Sequence, residues 1–299
     1  MKQLISIIAA LIIIISSGVT AYKEYKDSKE PDIKMTAEEG ALSVYFIDVG
    51  QGDCEYIVFP DGKNMLIDSG EKEYSSKLIK KLHSFDVDTI NYLIITHPHT
   101  DHMGGMSDVI KNFYTDAIYM PKASADTETF EELLDTIREW KESVHTATAG
   151  LTFHTDEKNG VTAEFLAPVG TEYDELNDYS AVVKITYKDS SFLFTGDAEK
   201  YSENEMLGNS RKKLDCDVLK VGHHGSRYSS SKGFLRAVSP QYAVIECGKD
   251  NAYGHPHTQT LDKLQKAKVE IYRTDKDSDI LFVTHGDGIY KIKTNCFGK

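Results

Sequence analysis

Apolar and polar residues alternate over residues 41–49, 54–59 and 64–67, with Gly-Asp turns between them. A period of two predicts half-buried strands, and the tight turns predict that these strands run antiparallel. The period then changes. Leu78, Leu82 and Phe85 recur at helical spacing over residues 74–85, as do Phe130, Leu133, Leu134 and Ile137 over residues 127–141. Between the two helices, residues 91–95 read as a short buried strand. A second series of strands is predicted over residues 161–166, 181–187, 191–195 and 218–221. Residues 242–247, a helix after Pro256 and residues 269–272 follow. The end of the chain predicts a hairpin of residues 280–283 and 288–292, turning at His285-Gly286-Asp287-Gly288. Two series of strands, each accompanied by helices, point to the α/β class. The expected architecture over residues 41–299 is an αββα sandwich of two mixed β-sheets flanked by helices.

The first 22 residues follow neither period. Lys2 precedes an uncharged run over residues 3–22, apolar from Leu4 to Ile15 apart from Ser6, and Val19-Thr20-Ala21 supplies small residues for cleavage. This is the pattern of a signal peptide. Twenty uncharged residues also reach the roughly 20 needed to span a bilayer. Residues 1–21 are therefore expected as a signal peptide or an N-terminal membrane anchor, with residues 3–22 as the membrane contact. Either reading puts the rest of the chain outside the cytoplasm, secreted or on the outer face of the membrane. Residues 22–40 are charged and poor in apolar side chains, which predicts a linker.

Composition narrows the function. At 27% charged and 40% hydrophobic, the 299-residue chain is neither disordered nor a polytopic membrane protein. Its net charge of −13 disfavours nonspecific binding to nucleic acid or anionic lipid. A local basic rim is expected from Arg211, Lys212, Lys213, Lys220, Arg227 and Lys232, around a pair of histidines. Four cysteines are too few and too scattered for a disulfide scaffold or a cysteine zinc site, and their pairing stays open.

Seven of the 11 histidines fall in three short clusters. In Thr96-His97-Pro98-His99-Thr100-Asp101-His102, His97 and His99 are two apart, so both can point the same way from an extended segment. Asp101 and His102 follow as the chain turns. Three imidazoles and a carboxylate within six residues, fixed to an apolar strand, make a cage for zinc or a similar divalent ion. Asp197, in Thr195-Gly196-Asp197, ends another apolar strand, where a carboxylate can bridge two metals. His223 and His224 end a third, with either of them as a ligand. His255 and His257, in Tyr253-Gly254-His255-Pro256-His257, are candidates for an outer pair that binds an anionic substrate or acts as general acid. Asp48 and Asp68 also sit at strand ends, and Asp68 is the candidate for orienting a metal-bound histidine through its other ring nitrogen. His83, His145, His154 and His285 stand alone and are expected to be structural or on the surface.

These motifs resemble the metallo-β-lactamase-fold superfamily, whose His-x-His-x-Asp-His signature is matched by HPHTDH and whose bridging-aspartate motif is matched by TGD. Within it the chain is most similar to the hydrolase domain of ComEC-type competence (DNA-uptake) proteins. That likeness is carried by residues 46–53, 177–183, 195–197, 222–226 and 254–257. The resemblance implies that His97 and His99 bind one metal, that Asp101 and His102 bind a second, and that Asp197 bridges them. His223 or His224 would complete the set, with His224 preferred. Many members carry another histidine before the bridging aspartate. Here that stretch has none, which leaves Asn177, Ser180 or water for the first metal. Glu199 is similar to a glutamate that assists chemistry in the choline-phosphate esterases of the superfamily. The implied cofactors are two divalent ions, Zn²⁺ or Mn²⁺, and the implied reaction is hydrolysis by a hydroxide shared between them. Asp101, Glu199, His255 and His257 are the expected catalytic side chains. The expected substrate is a phosphodiester, such as extracellular DNA. A choline phosphate ester, a lactone or a β-lactam is the alternative, and a metal-stabilised binding module without turnover is a third. No protein partner is expected.

Overall fold

A computed structural model describes residues 38–296. The expected signal peptide or anchor and nearly all of the expected linker lie outside the described residues. Among the described residues, no helix is long and apolar enough to cross a membrane.

Among the described residues there are seventeen strands: β1 (Leu42–Phe46), β2 (Glu55–Val58), β3 (Asn64–Ile67), β4 (Thr89–Ile90), β5 (Tyr92–Ile94), β6 (Tyr114–Thr115), β7 (Ile118–Met120), β8 (Val144–Thr146), β9 (Thr152–Asp156), β10 (Val161–Ala167), β11 (Val182–Tyr187), β12 (Ser190–Phe194), β13 (Val218–Lys220), β14 (Tyr242–Ile245), β15 (Glu270–Arg273), β16 (Ile280–Thr284) and β17 (Lys291–Thr294). The α-helices are α1 (Ser75–Ser84), α2 (Thr100–Met103), α3 (Met106–Asn112), α4 (Glu128–Trp140), α5 (Lys200–Asn209), α6 (Lys232–Val238), α7 (Thr258–Lys266) and α8 (Thr274–Asp277). One sheet runs β17-β16-β1-β2-β3-β5-β7-β8 and the other β15-β14-β13-β12-β11-β10-β9, with β4 and β6 paired separately.

The sheets pack face to face. Val44, Phe46, Met65 and Ile67 of the first meet Phe165, Val183, Phe192 and Phe194 of the second in one core cluster. The outer face of the second sheet is covered by α5, α6 and α7, through Met206, Phe234, Val238 and Leu264 against Leu193, Leu219 and Ile245. On the first sheet, Phe85 at the end of α1 packs against Tyr45 and Tyr56, with ring centroids 4.7 and 5.0 Å apart. The layers are those of the αββα sandwich expected from the two strand series.

The ends of the parallel strands decide where chemistry can occur. In the first sheet β3, β5 and β7 are parallel. In the second, β12, β13, β14 and β15 are parallel. Parallel strands bring their carboxyl ends, and the loops that follow, to one edge. Asp68 follows β3, Thr96-His97 follows β5, Asp197 follows β12, His223-His224 follow β13 and Glu246 follows β14.

Some elements differ from expectation. The last strand begins at Lys291, because Ile289 still belongs to a turn held by its N–H on Asp287 Oδ1 at 3.1 Å. Strands β7, β8 and β9 have three to five residues and no clean alternation. Helix α5 has Met206 as its one buried apolar side chain, so its sequence carries little helical signal. All four cysteines are free thiols.

Candidate metal centre

His97 and His99 leave β5 on an extended segment, and Pro98 between them disfavours helix for His97. His99 caps α2, whose first turn presents Asp101 and His102. On the facing sheet, Gly196 adopts φ +48°, and a side chain there would press on Thr96 at 3.0 Å. That turn brings Asp197 against the histidine segment. His223 and His224 both hold left-handed backbone, φ 49° and 50°. Such conformations cost roughly 1–3 kcal/mol each in non-glycine residues. They are held here by His223 N–H on Gly196 O at 3.0 Å and Ser226 N–H on His223 O at 2.7 Å.

The result is two donor clusters that share Asp197. His97, His99 and Asp197 place donor atoms within 4.8 Å of one another, and so do Asp101, His102 and His224. Asp197 Oδ2 faces His97 Nε2 at 3.9 Å. Asp197 Oδ1 faces His102 Nε2 at 3.2 Å and His224 Nε2 at 3.6 Å. Asp101 Oδ2 lies 3.3 Å from His224 Nε2. Asp197 is 2% exposed, and His97 and His102 are fully buried. Asp197 Oδ1, His102 Nε2 and His224 Nε2 are buried without a hydrogen-bond partner. Buried polar atoms are costly unless paired. Three orphaned donors converging on one point, within an imidazole–carboxylate set, fit a divalent ion.

The remaining nitrogens are fixed from behind. His102 Nδ1 meets Asp68 Oδ2 at 2.7 Å, and Asp68 also accepts Thr96 N–H at 2.8 Å and Thr96 Oγ1–H at 2.6 Å. His224 Nδ1 donates to Glu246 O at 3.0 Å. Asp68 therefore sits where the sequence reading put it. Ser180 Oγ accepts the Asp197 N–H at 3.1 Å, so it steadies the aspartate backbone and is not aimed at the donors.

His223 belongs to neither donor cluster among the described residues. Its Nδ1 pairs with Glu199 Oε1 at 2.8 Å and its Nε2 faces Asp197 Oδ2 at 3.6 Å. Asn177 Nδ2 lies 3.4 Å from the same Nδ1. Glu199 reaches the centre through His223, and its Oε1 also accepts from Asn177 Nδ2 at 3.5 Å. His99, Asp101, Asn177, Asp197, His223 and His255 line an open pocket of about 340 Å³. His255 Nδ1 is buried there without a partner. Burial and the neighbouring imidazoles of His224 and His223 push its pKa down to about 4. His257, expected beside it, turns away: its Nδ1 accepts the Arg227 N–H at 3.1 Å and so ties two loops together. Asp48 is also remote, accepting Gly50 N–H on its own loop at 3.1 Å.

Electrostatics explain the crowding. Burial opposes the charge on Asp197, but His102, His224 and His223 outweigh it and hold the carboxyl well below its ordinary range. Burial likewise opposes charge on His224, yet Asp197 and Asp53 raise its pKa to about 10. In the metal-free chain the carboxylates favour protons on His102 and His224, while burial and the neighbouring His102 push the His97 and His99 imidazoles towards the neutral form.

A second buried group was not foreseen. Lys220, placed by the sequence reading on a basic rim, is fully buried and donates to Asp53 Oδ2 and, at 3.3 Å, to Gly196 O. It cannot form part of a rim. Asp53 Oδ1 lies 3.1 Å from His224 Nδ1. Burial raises the Glu55 pKa to about 8, and it holds the Glu246 carboxyl well above its ordinary range. The one local signal was a lysine inside the apolar run Val218-Leu219-Lys220-Val221. Lys213 is also no rim residue, since it pairs with Glu164. His83, His145 and His154 pack on Phe113, Tyr119 and Phe59, while His285 pairs with Glu38 at 3.3 Å.

Residues 47–249 match the family model for the metallo-beta-lactamase superfamily. The chain belongs to that superfamily. Its relatives include ComE operon protein 3 of Bacillus subtilis, 29% identical over 82% of this chain and 33% of that protein. Competence protein ComA of Neisseria gonorrhoeae is 27% identical over 93% of this chain and 38% of its own length. Recombination protein 2 of Haemophilus influenzae is 28% identical over 76% and 27%. These are ComEC-type competence proteins, and this metallo-beta-lactamase chain spans about a third of their length. Among solved structures, CmlA, a diiron beta-hydroxylase from Streptomyces venezuelae, aligns with a TM-score of 0.53 over 80% of this chain and 53% of that chain, at 13% identity. That likeness concerns the fold. Members of this superfamily bind divalent metals, often two, in keeping with the two donor clusters here.

Proposed function

We propose that this chain is a metal-dependent phosphodiesterase that cleaves nucleic acid outside the cytoplasm. The observation that carries the reading is the pair of donor clusters bridged by Asp197 under an open pocket. Two of its relatives, Competence protein ComA and Recombination protein 2, are named for processes that favour DNA as the polymer. Because the chain covers about a third of those proteins, their whole activity is not carried over.

In this reading His97, His99 and Asp197 hold one divalent ion, and Asp101, His102, His224 and Asp197 hold the other, as Zn²⁺ or Mn²⁺. When bound, such ions supply Lewis acidity and a nucleophile at neutral pH. The chain supplies the rest. Asp68 and Ser180 fix the orientation of His102 and Asp197. With Nδ1–H on Glu199, a doubly protonated His223 would pass its Nε2 proton, which faces the pocket, to the leaving oxygen and end as the neutral Nδ1–H ring. Neutral His255 would donate its one ring N–H to a phosphoryl oxygen. The apolar N-terminal run supports export or anchoring.

The test is a substrate panel. The full chain, loaded with Zn²⁺ or Mn²⁺, is incubated with single-stranded DNA, bis-p-nitrophenyl phosphate, p-nitrophenyl phosphorylcholine and nitrocefin. Cleavage of the first two, abolished by chelator, is expected. Nitrocefin turnover without phosphodiester cleavage by either metal would end this reading.

A further inference from the structure

The net charge of −13 is at odds with a polyanionic substrate. The structure segregates that charge. Between α6 and α7 lies a groove of about 680 Å³, lined by Lys232, Arg236, Lys263 and Lys266, with Asp262 as its one acidic side chain among the lining residues. Lys232, Arg236 and Lys266 are exposed and make no ion pair among the described residues. Elsewhere on the surface Lys72 and Lys111 pair with Glu132 and Arg138 with Asp135, while Lys80, Lys122 and Lys212 make no ion pair among the described residues. What marks the groove is its balance: four cations against one acid lining a single cavity of an acidic protein, which favours an anion supplied from outside.

The groove is tied to the candidate metal centre through residues 226–230. This loop follows His223-His224 and leads into α6. Thr260 Oγ1 of α7 donates to Ser226 O at 2.8 Å, Lys263 Nζ donates to Ser229 O at 2.6 Å, and His257 accepts the Arg227 N–H. Two tyrosines stand exposed along the same route, Tyr228 on that loop at 63% and Tyr253 at the pocket mouth at 66%. A basic groove with exposed aromatic rings between it and the metal pocket has the chemistry of a single-strand track, in which phosphates meet the cations and bases stack on the rings.

We propose that the α6–α7 groove binds the backbone of a single-stranded nucleic acid whose scissile bond lies in the metal pocket. The inference deepens the phosphodiesterase reading and rests on it for the fate of the strand. Nine residues of α7 extend about 13 Å. A stacked strand places a phosphate roughly every 3.4 Å, so three or four phosphates fit alongside four cations.

The test is performed on the full chain in EDTA, where no cleavage occurs. Binding of a fluorescein-labelled single-stranded 20-nucleotide DNA is followed by anisotropy across a salt series. The expected slope of log K against log salt is about −2 to −3, from roughly 0.7 per neutralised phosphate. Lys232→Ala/Arg236→Ala/Lys266→Ala should weaken binding at least tenfold and flatten the slope by about two. Lys232→Gln/Arg236→Gln/Lys266→Gln should do the same, while Lys212→Ala, a cation lining a different cavity, should not. Metal-loaded triple variants should hydrolyse bis-p-nitrophenyl phosphate within twofold of the parent. Unchanged oligonucleotide affinity in the triple variants overturns the proposal. So does a loss confined to phosphatidylglycerol vesicles or to duplex DNA, or an equal loss of bis-p-nitrophenyl phosphate hydrolysis. If the parent hydrolyses no phosphodiester at all, the phosphodiesterase reading fails, and the binding series still decides the groove.

Discussion

Two buried acidic clusters lie side by side behind the pocket, and they neutralise their charge differently. Around Lys220, the carboxyl groups of Asp53, Glu55 and Glu246 have a cation that is part of the chain. Around Asp197, the chain supplies only imidazoles and further carboxylates; buried atoms without partners occur in both clusters, Asp197 Oδ1, His102 Nε2 and His224 Nε2 here and Asp53 Oδ1, Glu55 Oε2 and Glu246 Oε2 around Lys220, so the fixed ammonium is what separates them. Asp53 belongs to both, touching Lys220 on one side and His224 on the other. A covalently fixed cation makes a permanent structural support. A cluster without one is built for an exchangeable cation and can therefore do chemistry.

The sharpest way to break this comparison is to damage each cluster at its centre. Asp197→Ala removes the one carboxylate common to both donor sets. Turnover of bis-p-nitrophenyl phosphate should fall by more than the roughly 100-fold that loss of an outer partner can cost, while circular dichroism stays that of the parent. Retained activity would remove Asp197 from its bridging role. Lys220→Met should do the reverse. It leaves buried carboxylates without their cation, which costs about 3–5 kcal/mol. For a domain of this size that lowers Tm by roughly 6–20 °C. A melting curve within 2 °C of the parent would show that Lys220 is no support.

Legibility in the sequence followed the same division. His97, His99, Asp101 and His102 are neighbours along the chain, so their spacing alone announced a metal cage. Asp197 and His224 were recognisable because each ends an apolar strand, and parallel strands end at one edge. Asp53, Lys220 and Glu246 come from three separate segments and meet only through sheet packing. Lys220 was misplaced on the surface because a lysine is almost never fully buried unless paired, and its partner lies 167 positions away. His255 and His257 look equivalent in the motif, yet the backbone turns one ring to the pocket and the other to Arg227. Helix α5 escaped detection because its buried face is mostly Ser202 and Glu203, with Met206 alone apolar.

A smaller effect is expected from the outer shell. Asp68→Asn keeps the shape of the side chain but weakens its hold on His102 Nδ1. Metal affinity, measured by competition with a chromogenic chelator, should drop about 10–100-fold. Unchanged affinity would reduce Asp68 to a brace for Thr96.

Per step of the measured variable, the smallest expected effect is a pH slope, and it separates the two clusters without any mutation. In the metal-free chain the neighbouring carboxylates raise the pKa of His224 from its ordinary 6.5 to about 10 and hold His102 well above its ordinary value too. A raised histidine pKa stabilises the fold fully below the unfolded value, near 6.5, and the contribution is lost as pH rises through the folded value. Stability of the chelator-treated chain should therefore fall between about pH 7 and 9.5. The slope is on the order of 1.4 kcal/mol per pH unit for each proton retained by the fold. Glu55, raised to about 8, adds to the fall only up to that pH. Divalent metal replaces the imidazole protons, so the loaded chain should show a shallower fall above pH 8 and keep the part owed to Glu55 and to Glu246, whose carboxyl is also held well above its ordinary range. Urea midpoints across this range, with and without metal, measure both. If metal leaves the slope above pH 8 untouched, then His102 and His224 are not where the ion binds.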